Sequence, residues 1–358
     1  MTYKLICRRT GIRAVGGLWL QEGFLGLAME TIDLGRTGRR TTRLGFGCSS
    51  LMGAMGRKES VAMLEAAFDA GVRHFDVAPM YGFGQAESCV GEFLGRHRAG
   101  VTVTTKYGIP PAKHQGLIGL ARSVARPLVK ALPGLKQGLS KMAGRATQPA
   151  EKASFTAAQA KESLDRSLAE LRTDRIDVWL LHEVTADDLR DEELLRLLED
   201  SVAAGTIGAF GVGSEREKIG MLLAARPEYC GTVQFEWSVL DAPVPAMKSF
   251  RIHHRALSEN FRSLRASIEQ DKARAVRWSE KVGADLADRE VLASLMLKAA
   301  LVENPESVIL FSSKSAVHMQ HNVKVAGDGT LEAPARRLYE LVQCGIATQD
   351  QPKARVAG

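Results

Sequence analysis

No apolar run in this chain approaches the ~20 residues that a membrane-spanning helix requires, so an integral helical membrane protein is not expected. Cysteine is scarce. Cys7, Cys48, Cys89, Cys230 and Cys344 are scattered, with no CxxC pair and no cluster at metal-ligand spacing. That pattern argues against a disulfide framework and a metal site, and favours free thiols in a reducing, cytoplasmic setting. Acidic residues are almost missing from one stretch. Between Pro111 and Lys152 the bases are Lys113, Arg122, Arg126, Lys130, Lys136, Lys141, Arg145 and Lys152, against the single acid Glu151. Eight minus one is +7, the whole formal net charge, so the remainder is neutral. The basic character belongs to one segment and does not indicate a nucleic-acid-binding fold.

What is present is a globular composition. The 358 residues are 45% hydrophobic and 25% charged, which suits a large core and a single barrel domain of about 250 residues or more. Residues 1–28 stand apart. Lys4, Arg8, Arg9 and Arg13 precede apolar stretches that Gln21 and Glu22 interrupt, so a flexible extension upstream of Met29 fits better than a secretory signal. The expected organisation is an extension over 1–28, a barrel over 29–345 carrying an insertion over 109–155, and a tail over 346–358.

Three short apolar or β-branched runs end in chemistry. HFDVAPMYG contains Asp76 and Tyr81, VTVTTK ends in Lys106, and IDVWLLH ends in His182. Such runs read as buried strands, and in a parallel barrel the carboxyl ends of the strands form the face where active sites are built. Asp76 and Lys106 are 30 residues apart; Lys106 and His182 are 76 apart, and removing an insertion of ~45 returns about one βα unit. The strands are expected at Leu44 to Cys48, His74 to Ala78, Val101 to Lys106, Ile176 to Leu181, Ile207 to Val212, Thr232 to Ser238, Ile252 to Leu257 and Val308 to Phe311. A hairpin precedes them, with its turn around Gly38. Helical spacing marks Glu59 to Gly71, Ala86 to Leu94, the segment capped by Thr156, Asp187 to Ala204, and Asp288 to Leu301. Between strands six and seven, DAPVPAMKS is too short for a helix, and Ser258 to Trp278 shows no readable motif. Eight βα units imply a (β/α)8 barrel with a hairpin plug and a long basic insertion after strand three. The insertion has apolar residues at helical spacing from Leu117 to Leu139; it reads as a helical excursion packed on the barrel, or else as a lid or lipid-touching helix.

These strings resemble the aldo-keto reductase superfamily over roughly Ile32 to Ala326. LGRTGRRTTRLGFG is similar to that family's plug and first strand, FDVAPMYGFGQAE to its FDTAxxYGxxE signature, and ESLDRSLAELRTDRIDVWLLH to the helix and strand leading to its active-site histidine. The segment after Tyr81 resembles the aldose dehydrogenase branch. The resemblance implies a nicotinamide-dependent oxidoreductase acting on small carbonyls or alcohols, with NADP, or alternatively NAD, lying across the strand ends. It assigns catalysis to Asp76, Tyr81, Lys106 and His182, and cofactor binding to Cys48, Ser49, Asp76, Gly213, Ser214, Gln234, Trp237, Leu257, Ser313, Lys314, Ser315, His318 and Asn322. GVGS stands where the family has GVSN, so Gly213 lacks a hydrogen-bonding side chain. Trp237 stands where a tyrosine stacks on the nicotinamide. Lys314 favours NADP, while His318 replaces the usual arginine or glutamine.

The four catalytic residues also make chemical sense on their own. A phenol with a pKa near ~10 is a slow acid or base at neutral pH. A neighbouring ammonium favours the phenolate, so Lys106 is expected to lower the pKa of Tyr81, with Asp76 holding Lys106 and His182 orienting the substrate oxygen. Taken singly, each has a plain structural reading: a buried ion-pair residue, a solvated strand end, a packing tyrosine and a core histidine. A weakly active NADP-binding regulatory or redox-sensing protein of the same fold is the second functional reading.

Overall fold

The computed structural model describes residues 29–53, 55–110 and 153–349. The expectations for 1–28 and for the basic segment 111–152 lie outside the described residues. Among those described, ten strands are present: β1 Thr31–Asp33, β2 Arg40–Thr42, β3 Leu44–Gly47, β4 His74–Asp76, β5 Thr102–Tyr107, β6 Ile176–His182, β7 Ile207–Gly213, β8 Thr232–Glu236, β9 Phe250–His254 and β10 Ser307–Phe311. The described helices are α1 Arg57–Asp69, α2 Ala86–His97, α3 Ala157–Leu171, α4 Glu192–Ala203, α5 Arg216–Ala225, α6 Ser258–Gln270, α7 Lys272–Val282, α8 Arg289–Glu303, α9 Ala316–Gly327 and α10 Glu332–Gln349. Strands β3 to β10 close into a parallel barrel, sealed where β10 pairs with β3. No helix among the described residues is long and apolar enough to cross a membrane.

β1 and β2 form the expected antiparallel hairpin, with Thr31 opposite Thr42. Its Leu34 is fully buried in one apolar cluster with Val178, Leu180, Ile252, Val308 and Leu310. Those five come from three barrel strands, so this cluster fills the barrel interior and the hairpin closes one end of it. The larger core lies between the barrel wall and the helices. Alternation follows from the pleat: Leu180 and Val178 point inward, while Trp179 and Leu181 pack with the helices.

Three expectations need correction. Strand seven is Phe250–His254, not Ile252 to Leu257, and Ala256 and Leu257 belong to the loop beyond it. Ser258 to Trp278, without a readable motif and expected as a loop, holds α6 and the start of α7, in which Leu264, Ile268 and later Val282 are the buried residues. So few apolar residues leave a thin periodic signal. The boundary expected at 345 falls inside α10, which runs to Gln349.

The missing crossover between β8 and β9 is a real feature, since 237–249 contain no helix. The two strands still pair in parallel from Thr232 with Phe250 to Glu236 with His254. The exposed flank is covered by α10. Gln343 Nε2 donates to the carbonyls of Val239 at 2.9 Å and Asp241 at 3.0 Å, and Tyr339 Oη donates to Asp241 O at 3.2 Å. A C-terminal helix thus satisfies backbone groups that a local helix would otherwise shield.

At the plugged end His74 is fully buried, with Nδ1 3.0 Å from Thr102 Oγ1 and Nε2 3.3 Å from Thr104 Oγ1. Burial pushes its pKa down to about 4. The unfolded chain therefore takes up this proton near pH ~6.5 while the folded chain stays neutral until about 4, so acidification across that window favours unfolding. Denaturant titrations at pH 7 and pH 5 are expected to show that His74→Leu loses about 2 kcal/mol less stability between those pH values than the parent chain.

Candidate active site

The residues singled out in the sequence meet at the carboxyl ends of the strands. Asp76 ends β4, Lys106 is next to last in β5, His182 ends β6, and Tyr81 opens a one-turn helix, Tyr81–Gly84. Lys106 Nζ donates to Asp76 Oδ1 at 2.5 Å and to Val77 O at 3.2 Å. Gln234 Nε2, from β8, donates to Asp76 Oδ2 at 2.7 Å. Both carboxylate oxygens are therefore occupied, and Asp76, Lys106 and Gln234 are all buried. The Lys106 ammonium lies 5.4 Å from the centre of the Tyr81 ring.

The electrostatics differ in one respect from expectation. Burial works against the Lys106 charge, but Asp76 and then Tyr81 outweigh it, and the ammonium is held above its ordinary pKa. The same ammonium pulls the Tyr81 phenol down as the largest single influence. Burial, Asp76 and Cys48 together push harder the other way, so the phenol sits above its ordinary value. At neutral pH Tyr81 is therefore a protonated acid. Burial brings His182 down to about 3, with the Lys106 charge adding to the effect, so its imidazole is neutral at pH 7.

These groups border a cleft of about 650 Å³. Of the residues expected to contact the cofactor, Ser49, Asp76, Gln234, Leu257 and Asn322 line it, as do Tyr81 and His182. Cys48 does not. It is fully buried, its Sγ faces Phe46 O at 3.8 Å, and burial raises its thiol well above the ordinary range. Trp237 does not either: it is 1% exposed and packs on Tyr339 with ring centres 5.5 Å apart, so its stacking role is not what this arrangement presents. Ser214 Oγ donates to Glu183 Oε2 at 3.3 Å. At the start of α9, Ser313 Oγ donates to Ser315 O at 2.8 Å, Ser315 Oγ accepts from His318 N at 3.4 Å, and Lys314 and His318 are exposed. A side chain at Gly213 would meet only ordinary contacts, at 3.6 Å or more, from Gln234 and Leu180. At Gly211 a Cβ would lie 1.9 Å from Thr232 O, so only glycine fits there.

Sequence reading missed Glu183, His254 and Arg255, which also line the cleft. The available signal was RIHHR, a run of bases at the end of strand seven. The loops bearing these residues are conformationally strained. Met52, Phe83, Glu183, Arg255 and Ser258 all have φ between 52° and 61°, and they follow β3, β4, β6 and β9 at the cleft end. Such conformations persist where surrounding structure enforces them, and they gather at functional sites. Gly82 shares the turn after Tyr81 with φ 57°, and a Cβ there would lie 2.5 Å from that of Met52. The turn that carries Tyr81 therefore presses against the loop after β3.

Residues 43–246, more than half of the chain, match the model of the aldo/keto reductase family. The chain belongs to that family. It is 42% identical over 84 residues to pyridoxal 4-dehydrogenase of Microbacterium luteolum, covering 23% of this chain and 25% of that one. It is 32% identical over 184 residues to D-threo-aldose 1-dehydrogenase of a Pseudomonas species, covering 48% and 49%. The chain thus spans half or less of these two curated relatives. Among solved structures, an aldo/keto reductase from Klebsiella pneumoniae in complex with NADP and acetate superposes with a TM-score of 0.57 at 19% identity, covering 87% of this chain and 95% of that one. That likeness establishes the barrel fold.

A buried ion pair stabilises little as a pair, but removing one partner strands the other charge, at a cost of roughly 3–5 kcal/mol. Urea titration of Lys106→Met, Asp76→Asn and the double variant is expected to show each single substitution losing about that much, and the double losing clearly less than the sum.

Proposed function

We propose that the chain is an NADP-dependent oxidoreductase that interconverts an aldehyde, ketone or sugar carbonyl with its alcohol, using Tyr81 as general acid and base. The observation that carries this reading is the buried Asp76–Lys106 pair beside the Tyr81 ring at the floor of the cleft. When bound, a nicotinamide supplies or accepts the hydride at the carbonyl carbon. Every other function belongs to the chain.

In reduction, the Tyr81 hydroxyl gives its proton to the carbonyl oxygen as negative charge develops there. The Lys106 ammonium then stabilises the phenolate left behind. Asp76 keeps that ammonium in place through Oδ1. His182, neutral at the edge of the same cleft, donates an N–H to the carbonyl oxygen and holds it toward Tyr81. The reverse reaction needs the phenolate as base.

Several features suit a nicotinamide dinucleotide. The cleft is large and polar-edged, and Gln234 and Asn322 both line it with amide side chains. The start of α9 offers free backbone N–H groups and the exposed Lys314 to a phosphate. The NADP bound by the Klebsiella relative supports the same cofactor. The small-molecule substrate and a cytoplasmic setting belong to this reading as well.

A second reading, a poorly active NADP-binding sensor, draws on two observations: Gln234 is engaged by Asp76, and Gly213 has no side chain to hold the nicotinamide amide. NADPH oxidation across a carbonyl panel separates the two, since tight binding without turnover favours the sensor.

Tyr81→Phe is expected to lower kcat for reduction by ~10²-fold or more with NADPH affinity nearly unchanged. Because the phenol is held above its ordinary pKa, reduction by the parent enzyme should stay level through neutral pH and fall only under strongly alkaline conditions, while oxidation rises toward alkaline pH. Steady-state rates in both directions, with fluorescence titration of NADPH, check both statements. Full activity in Tyr81→Phe would remove the assignment.

A further inference from the structure

We propose that a second cavity, on the outer side of β5 and separate from the cleft, is a binding site for a small organic ammonium ion, with Glu87 as the anion that holds it. The inference does not depend on the oxidoreductase reading.

The pleat gives β5 two faces. Lys106 points into the barrel mouth and bonds Asp76. Its neighbours Thr105 and Tyr107 point the other way. Thr105 Oγ1 donates to Glu87 Oε1, on α2, at 2.6 Å, and the Tyr107 ring stacks on Trp179 with centres 5.7 Å apart. Behind them, between α2 and α3, lies a cavity of about 260 Å³ that shares no lining residue with the cleft. Glu87, Gln159 and Ser167 give it polar groups; Pro79, Tyr107 and Ile109 give it an apolar wall.

Glu87 closes the string FDVAPMYGFGQAE and has no part in the proposed chemistry. It is 4% exposed. Charge taken out of water is normally paired, yet among the described residues Glu87 has no ion pair. Arg166 also lines the cavity, but its Nη2 is bonded to Glu162 Oε1 at 2.6 Å on the exposed rim. Lys106 is held by Asp76. Burial raises the Glu87 carboxyl above its ordinary value, and the hydroxyls of Thr105 and Ser167 offset only part of that. Ser167 Oγ is near enough to favour the charge, but it is buried and makes no hydrogen bond among the described residues. An anion without a countercharge and a hydroxyl without a partner therefore border one space.

The walls select among cations. Among the described residues no group of three or more His, Cys, Asp or Glu is placed to hold a metal ion. The apolar wall offers a bare inorganic ion no oxygen ligands. A primary ammonium on a short alkyl body suits both halves, with N–H donors for Glu87 and Ser167 and carbon for Pro79, Tyr107 and Ile109. The volume lies just below the range of about 300–1,000 Å³ that suits drug-sized ligands, so the ligand is small.

Titration calorimetry on the full chain tests the site, with isobutylammonium chloride as the probe and isobutanol and sodium chloride as comparisons. The ammonium is expected to show one saturable site, with affinity at least about tenfold above that of the alcohol, which has the same shape without the charge. Sodium chloride should give no saturable heat. Saturating NADPH should change the ammonium affinity by less than about threefold, because the cleft is elsewhere. Glu87→Gln, which keeps the shape and an acceptor for Thr105, is expected to lose about tenfold or more in that affinity. Ser163→Leu, which fills the cavity from α3, should lose as much. Absence of saturable binding, equal binding of the alcohol or of sodium, displacement by NADPH, or full affinity in Glu87→Gln overturns the proposal. Should Glu87→Gln fail to fold, the comparison of ammonium with alcohol in the parent chain and the Ser163→Leu variant decide it. A chain that binds the ammonium in this way but oxidises no NADPH keeps the site and loses only the oxidoreductase reading.

Discussion

A lysine ammonium held inside the barrel mouth by one aspartate is the constraint on which the site depends. Lys106 is 1% exposed, and among the described residues Asp76 is the only carboxylate bonded to it. In that surrounding the pair cannot be separated cheaply, so it fixes β4 against β5 at their carboxyl ends and keeps a positive charge beneath the Tyr81 ring. The charge does not by itself make Tyr81 a phenolate, because burial and Asp76 oppose it. In the proposed reaction it makes the phenolate tolerable once the Tyr81 proton has been given away.

The scaffold around this pair is arranged to hold it still. The hairpin closes the barrel at one end with Leu34, and an apolar interior of Val178, Leu180 and Ile252 separates the plug from the site. The strained residues Met52, Phe83, Glu183, Arg255 and Ser258 gather on the loops at the other end. Where the wall is incomplete, between β8 and β9, α10 replaces the missing crossover and bonds the carbonyls of Val239 and Asp241. A helix that follows the last barrel strand thereby supports the strand pair carrying Gln234 and His254.

The eight strands and the four central residues were legible because buried parallel strands leave dense apolar runs and the chemical residue ends each run. Asp76 and His182 end their strands and Lys106 is next to last in its own, so no long-range knowledge is needed to see them. Register and layer are not local properties, and here reading failed or thinned. Trp237 looks like a stacking platform in sequence, yet it faces the core because the segment after β8 turns toward Tyr339. In sequence His254 and Arg255 fall inside the strand expected at Ile252 to Leu257 and carry no mark of their own, since which of two adjacent histidines faces the cleft depends on the pleat of β9. Helices α6 and α7 bury too few apolar residues to advertise themselves. The direction of the Tyr81 shift could not be read either, because it is a balance between one ammonium and the burial that a sequence does not display.

The most direct measurement is single-turnover oxidation of bound NADPH by a carbonyl substrate in Lys106→Met, compared with the parent enzyme at neutral pH. The account predicts that the variant, provided it remains folded and saturated with NADPH, loses ~10²-fold or more in the rate of that single turnover. A variant that is folded, binds NADPH and turns over at the parent rate would contradict it.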